Sequence, residues 1–253
     1  MRLLVLSAIL VLLPGCGGHQ PEAQVVNIYA ASSLADVFHE LERDFEAEHL
    51  GVNVVLTFAG SQVLRLQIEQ GAEADVFVSA NPDHMGALVA AGFIEASPVL
   101  TRNELTLIVP LSNPAQVESF ADLARVERLV IGTENVPVGR YTRDVLGLAG
   151  QRFGANFESQ VMGRVVSEES NVRLARAKVE LGEADAAIVY RSDAVSSGQV
   201  RSVSIPAELN IDADYLIGML VGTQASDLAE AWINYVRSAS SQRVFDQYGF
   251  VSR

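Results

Sequence analysis

Two consecutive stretches decide the fold: VVNIYAASSLADVFHELERDF at residues 25–45 and NVVLTFAGSQVLRLQIEQG at residues 53–71. Each opens with a short apolar run containing β-branched residues, Val25 to Ala30 and Asn53 to Phe58, which predicts a strand. Each then passes through a turn of small residues into apolar positions at helical spacing. In the first these are Leu34, Val37, Phe38, Leu41 and Phe45. In the second they are Leu64 and Ile68, with a stop at Gly71. A third unit follows directly. ADVFVS at residues 74–79 predicts a strand, and Asn81-Pro82 opens a helix, with Asn as the cap and Pro in the first turn, that Gly92 ends. Strands alternating with helices predict a parallel sheet covered by helices.

The pattern then restarts. Strands are expected at Leu105 to Val109, Leu129 to Gly132, Arg164 to Ser167 and Ala186 to Tyr190. Between them the spacing predicts helices near Ala121 to Val126, Gly139 to Leu148 and Val172 to Leu181. Val200 to Ile205 reads as an edge strand and Tyr215 to Val221 as a last strand, before helices at Asp227 to Arg237 and Gln242 to Tyr248. No low-complexity linker separates the two α/β units. They are therefore expected to form two lobes, residues 25–105 with 213–253 and residues 106–212. Ordered strands near 103–106 and 210–215 would cross between them as a hinge.

With 49% hydrophobic and 19% charged residues, the 253-residue chain can fill a real core, which excludes disorder. Its formal charge of −13 argues against nucleic acid as a partner. Such a balance looks equally unsuited to binding an anion. The single cysteine, Cys16, rules out a disulfide within the chain. It follows Arg2 and the apolar run LLVLSAILVLL at residues 3–13, which is too short for an ordinary spanning helix and has the length of a signal-peptide core. The run ends in Leu13-Pro14-Gly15-Cys16, which resembles a bacterial lipobox, with Pro14 as a departure. Residues 1–15 are thus expected to be a signal peptide. Residues 16–24 would be a tether, lipid-anchored through Cys16, holding the protein at a membrane outside the cytoplasm.

No enzyme signature is present: no G-x-S-x-G elbow, no G-x-G-x-x-G, no Walker loop, no H-E-x-x-H. His19, His39, His49 and His84 read as surface residues, and the acidic runs as solvated faces. No group has metal-ligand spacing. No catalytic residue, cofactor or metal-cation ligand is expected.

The turns between strands and helices say more, because ligands of open parallel sheets bind beyond the carboxyl ends of strands. The first strand runs into Ala31-Ser32-Ser33-Leu34 and the second into Ala59-Gly60-Ser61-Gln62. Each Ser on its own reads first as a helix cap, and Ser33-x-x-Asp36 resembles a capping box. Val136-Pro137-Val138-Gly139 and Ser170-Asn171-Val172 open two further helices. A helix start offers unpaired N–H donors and the positive end of a dipole. Four such starts facing one cleft could hold a dianion without Lys or Arg. Neutral donors act at short range, while a distant acidic surface is screened by salt.

Taken in order, several segments resemble the periplasmic molybdate-binding proteins of ABC transporters. They are Tyr29–Leu34, Phe58–Ser61, Gly71–Asp75, Val78–Ala80, Val136–Gly139, Asn171–Arg173, Ile188–Ala194 and Tyr248–Phe250. The resemblance implies a two-lobed periplasmic binding protein fold of type II. Each lobe would be a mostly parallel sheet flanked by helices, with a two-strand hinge. It also implies a monomer that captures molybdate or tungstate and delivers it to a permease. It further implies five ligand positions: Ser33 and Ser61 through hydroxyl and N–H, Val138 and Val172 through N–H, and Tyr190 through its phenol. Three positions depart from the family. Gly60 stands where Ser is common, Gly132-Thr133-Glu134 lacks an Asp-Pro and is one residue shorter, and Arg191 replaces a small residue near the expected cleft rim. Three other readings stay open: a receptor for sulfate, phosphate or another anion, a hydrolase with Ser33 or Ser61 as nucleophile, and a surface lipoprotein without transport.

Overall fold

The computed structural model describes residues 23–251. The signal peptide and Cys16 lie outside the described residues, and the expected tether loses its last residue to the first strand. Strands β1 (Gln24–Ala31), β2 (Val52–Ala59) and β3 (Val76–Ser79) are parallel, in the order β2-β1-β3. Helices α1 (Ala35–Glu48), α2 (Ser61–Glu69) and α3 (Pro82–Ala90) follow these strands. The apolar spacing works as read: α1 buries Val37, Phe38, Leu41 and Phe45. Gly71 and Gly92 stop their helices with φ of +90° and +78°, a region that favours glycine.

Strand β4 (Val99–Pro110) then runs through both halves of the sheet. The second half adds β5 (Leu129–Gly132), helix α4 (Pro137–Phe153), α5 (Phe157–Met162), β6 (Val165–Glu169), α6 (Val172–Glu180), β7 (Ala186–Tyr190), α7 (Arg191–Val195) and β8 (Val200–Val203). Strand β9 (Asp212–Met219) and helices α8 (Ser226–Val236) and α9 (Ala239–Gln247) return the chain to the first half. The strand order is β2-β1-β3-β9-β4-β7-β5-β6, with β8 on β4. Each half therefore holds three parallel strands beside one antiparallel neighbour, β9 against β3 and β4 against β7. This is the two-lobed α/β architecture expected from the sequence.

Several elements differ from expectation, each for a local reason. The start of β4, residues 99–102, was not expected as strand, because Arg102, Asn103 and Glu104 interrupt any apolar run. The expected helix at 121–126 is a 3-10 turn, Phe120–Arg125, opened by a capping box between Ser119 and Asp122. Helices α5 and α7 were not expected at all. They have 6 and 5 residues, too few for a helical period to show.

β4 changes partners midway. Asn103 and Glu104 pair with β9, while Leu105 to Ile108 pair with β7. At the change the Asn210 side chain substitutes for a strand. Its Oδ1 accepts from the Leu105 N–H at 3.2 Å and from the Ile211 N–H at 2.9 Å, and its Nδ2 donates to the Leu105 carbonyl at 2.9 Å. The return of α8 and α9 completes the first core: Trp232 packs edge-on against Phe38 and Phe45, with ring centroids at 5.6 and 5.3 Å. Asn210→Ala leaves both Leu105 backbone groups without these partners. The expected cost is about 1–3 kcal/mol, measured by urea denaturation.

Candidate functional site

The strand ends of both halves converge. β1 turns through Ser32–Leu34 into α1, and β2 turns at Gly60 into α2. From the other half come the starts of α4 and α6, and the end of β7 at Tyr190. Together they line a small cavity of about 10 Å³. Its walls are Ala31, Ser32, Ser33, Ala59, Gly60, Ser61, Ala80, Val136, Pro137, Val138, Asn171, Val172 and Tyr190. The five positions singled out in the sequence, Ser33, Ser61, Val138, Val172 and Tyr190, all lie in this wall. No wall residue carries a charged side chain.

Neither serine caps its helix, which corrects the simplest reading of both. Gly60 is the residue before α2, and the Ser61 hydroxyl accepts from the Ala80 N–H at 3.1 Å. A backbone N–H can only donate, so the Ser61 proton is free to point elsewhere. Ser33 sits inside the 3-10 turn, with its hydroxyl 2.7 Å from that of Tyr215. The expected capping box fails because Asp36 turns away to Arg173, at 2.6 Å. The starts of α2 and α4 carry no side-chain cap, which leaves the N–H groups of Ser61 and Val138 for the cavity, whereas α1 bonds back to its own 3-10 turn, Ala35 N–H to the Ser32 carbonyl. At α6, Asn171 Oδ1 accepts from the Leu174 N–H and leaves Val172 at the first position.

Two glycines set the approach of these segments. A Cβ on Gly139 would come 2.1 Å from the Thr133 carbonyl and 2.4 Å from that of Gly132, so only glycine lets α4 press onto the end of β5 beside Val138. A Cβ on Gly60 would lie 2.5 Å from the Ser170 carbonyl on the opposite half. The serine common at this position in the molybdate-binding family would not fit here.

Tyr190 is 1% exposed, and its hydroxyl has no hydrogen-bond partner among the described residues. Burial above all, and the nearby Tyr215, Tyr141 and Asp193, push its pKa well above the ordinary tyrosine value, so it stays a neutral donor. An unmatched buried hydroxyl costs about 1–3 kcal/mol, which an acceptor entering the cavity would relieve.

Polar contacts ring the cavity and join the two halves. Arg173 of α6 reaches Asp36 of α1 at 2.6 Å and the fully buried Asp193 of α7 at 3.1 Å. Burial raises Asp193 to about 6 against the pull of Arg173 and Arg176. Burial also pushes Asp36 up, but Arg173 outweighs it and holds Asp36 below the ordinary carboxylate value. Gln62 Nε2 donates to the Ser170 carbonyl at 2.8 Å, and Arg140 pairs with Asp83 at 3.3 Å. His84, expected at the surface, is half-buried and bridges to the Asn135 carbonyl at 2.9 Å; burial lowers its pKa, partly offset by that bond. Arg191 lies outside the cavity wall, exposed and 3.9 Å from Glu104. Tyr215, Ala80 and the Arg173 pairs were not readable as site residues, since their partners are far away along the chain.

The wall offers hydroxyl and amide donors and no general base. That arrangement can hold an acceptor-rich group and lacks the base a serine nucleophile needs. Known proteins agree on the family. Residues 26–251 match the model of the bacterial extracellular solute-binding proteins. The molybdate-binding protein ModA of Mycobacterium tuberculosis is 34% identical, over 97% of this chain and 95% of its own. Among solved structures, the periplasmic molybdate-binding protein of Azotobacter vinelandii aligns with a TM-score of 0.77 at 20% identity, over 90% of this chain and 99% of its own. The sulfate-binding protein SubI of M. tuberculosis aligns at 0.80 and 17%, over 90% and 86%. The last two show the shared fold only. With a match that spans nearly the whole described chain, this protein belongs to the bacterial extracellular solute-binding protein family.

Proposed function

We propose that the chain is an extracytoplasmic receptor that closes around molybdate, or tungstate, and passes it to an ABC permease. One observation carries the reading: a charge-free cavity walled by uncapped helix starts and by hydroxyls aimed inward, with the buried Tyr190 phenol unpartnered. A fully deprotonated tetrahedral dianion only accepts hydrogen bonds, and this wall offers mainly donors. The relationship to ModA supports molybdate over other dianions. Ser33 and Ser61 would supply hydroxyl and N–H donors, Val138 and Val172 N–H donors, and Tyr190 its phenol. The protein would act as a monomer without a cofactor, held to the membrane through a lipid on Cys16. Sulfate presents the same hydrogen-bonding pattern, so cavity radius separates the two anions.

A thermal-shift panel of molybdate, tungstate, sulfate, phosphate and chromate tests this. The cognate anion at about 100 times its Kd should stabilise the protein by roughly 2.7 kcal/mol. Silence across the panel would overturn the receptor reading, and a response to sulfate alone would reassign the cargo. Ser61→Ala should weaken molybdate binding by about 1.5–3 kcal/mol in calorimetry.

Closure brings Gly60 against Ser170, so Gly60→Ala should obstruct the closed form in which the anion is held. Overpacking of about 1–3 kcal/mol predicts roughly tenfold or greater loss of affinity, with the ligand-free melting temperature little changed. Arg173→Met removes the ion-pair partner of the buried Asp193, leaving it the pull of Arg176 alone, and frees Asp36. The loss should be about 3 kcal/mol at pH 8. It should shrink towards pH 5, because Asp193, raised in the folded state to about 6, takes up a proton as pH falls through that range; the Asp36 share persists at pH 5, since a lowered carboxylate loses its contribution only below its ordinary value. Paired denaturation curves at the two pH values decide this.

A further inference from the structure

We propose that Arg173 is a positioning residue that latches the two halves around the anion: held in its own half by Asp193, it reaches Asp36 across the cleft only when the halves close, and this bond sets how long the anion is retained. The inference rests on the receptor reading above and adds a residue that governs release without lining the cavity.

The three residues sit beside three of the proposed ligand positions. Asp36 lies in the first turn of α1, three residues after Ser33. Arg173 follows Val172 at the start of α6. Asp193 lies in α7, three residues after Tyr190. None of the three lines the cavity. Arg173 therefore joins the segments that carry Val172 and Tyr190 in one half to the segment that carries Ser33 in the other.

The two contacts of Arg173 differ in kind. Asp193 belongs to the same half and is fully buried, and a buried carboxylate without a cation is costly. Arg173 Nε, 3.1 Å from it, therefore stays with it whether the halves are together or apart. Asp36 belongs to the other half. Its contact with Arg173 at 2.6 Å, with Arg176 also near, exists only while the halves are closed. When they part, Asp36 returns to water, where a carboxylate is well solvated, so the latch opens without stranding a charge in the interior. Asp193 also prepares the latch, because a guanidinium already immobilised loses little side-chain freedom on meeting a second carboxylate. The pair forms after the halves have come together, so it holds the closed state and does nothing to attract the anion. The other ion pair between the halves described above, Arg140–Asp83, is exposed on both sides, and such a pair contributes little.

The test follows release of radiolabelled molybdate from preloaded protein into an excess of unlabelled molybdate, with the calorimetric Kd supplying the association rate. Asp36→Asn should speed release about three- to tenfold. It should change association by less than about twofold and leave the ligand-free melting curve in place, because the pair it removes forms only on closure. In a double-mutant cycle, Asp36→Asn should add less than about twofold to the release rate of Arg173→Gln, since both act through one bond. Ligand-free melting curves report whether each variant folds. Should Arg173→Gln fail to fold, Arg173→Lys replaces it. A single ammonium keeps the cation beside Asp193 but lacks the fork that serves two carboxylates, so Asp36→Asn should again add less than about twofold. Unchanged release from Asp36→Asn, a loss confined to association, or an equal effect of Asp36→Asn with and without Arg173 overturns the latch. Wild-type protein that retains no molybdate sinks the receptor reading itself, an outcome distinct from all of these.

Discussion

A dianion taken out of water must find a donor for nearly every lone pair, and under the proposed function this cavity would supply those donors without a cation. That constraint explains why glycine and small residues dominate the turns around the cavity, since a Cβ at Gly60 or Gly139 would collide with a carbonyl. It explains why α2 and α4 begin at the cavity without side-chain caps. It also accounts for an acidic protein serving an anion. The formal charge of −13 belongs to the chain as a whole, while no charged side chain lines the cavity.

The donors come from both halves of the sheet, so what joins the halves matters as much as what lines the cavity. β4 is hydrogen-bonded to β9 in one half and to β7 and β8 in the other. Asn103 sits beside that change of partner, and its amide donates to Ser192 in the segment after Tyr190. Around the rim, Arg173 ties α6 to α1 with one arm while neutralising a buried carboxylate with another.

Much of this was legible in the sequence. Strand, small turn and helix recur with clear periodicity, and that grammar alone located Ser33, Ser61, Val138 and Val172. Tyr190 needed the family resemblance, because a tyrosine at a strand end is ordinary core by pattern. The roles of the two serines were the harder matter. A helix cap and an anion-binding turn use the same residue in the same place, and only the Ala80 and Tyr215 contacts separate them. Tyr215 lies 182 residues from Ser33, and no local pattern reports a contact of that span. The start of β4, before residue 103, escaped notice for a related reason: it is strand because β9 lies beside it, and its own composition does not say so.

The return of the chain has a consequence for how the protein comes into being. The first three strands lie at the start of the sequence, yet β3 acquires its antiparallel neighbour only from β9, and Phe38 and Phe45 acquire Trp232 only from α8. A chain emerging from the ribosome cannot complete its first half until most of its last forty or so residues have been made. For a member of an extracellular family this delay is useful. Export machinery that threads an unfolded polypeptide meets a chain whose earliest core has no means of closing ahead of time.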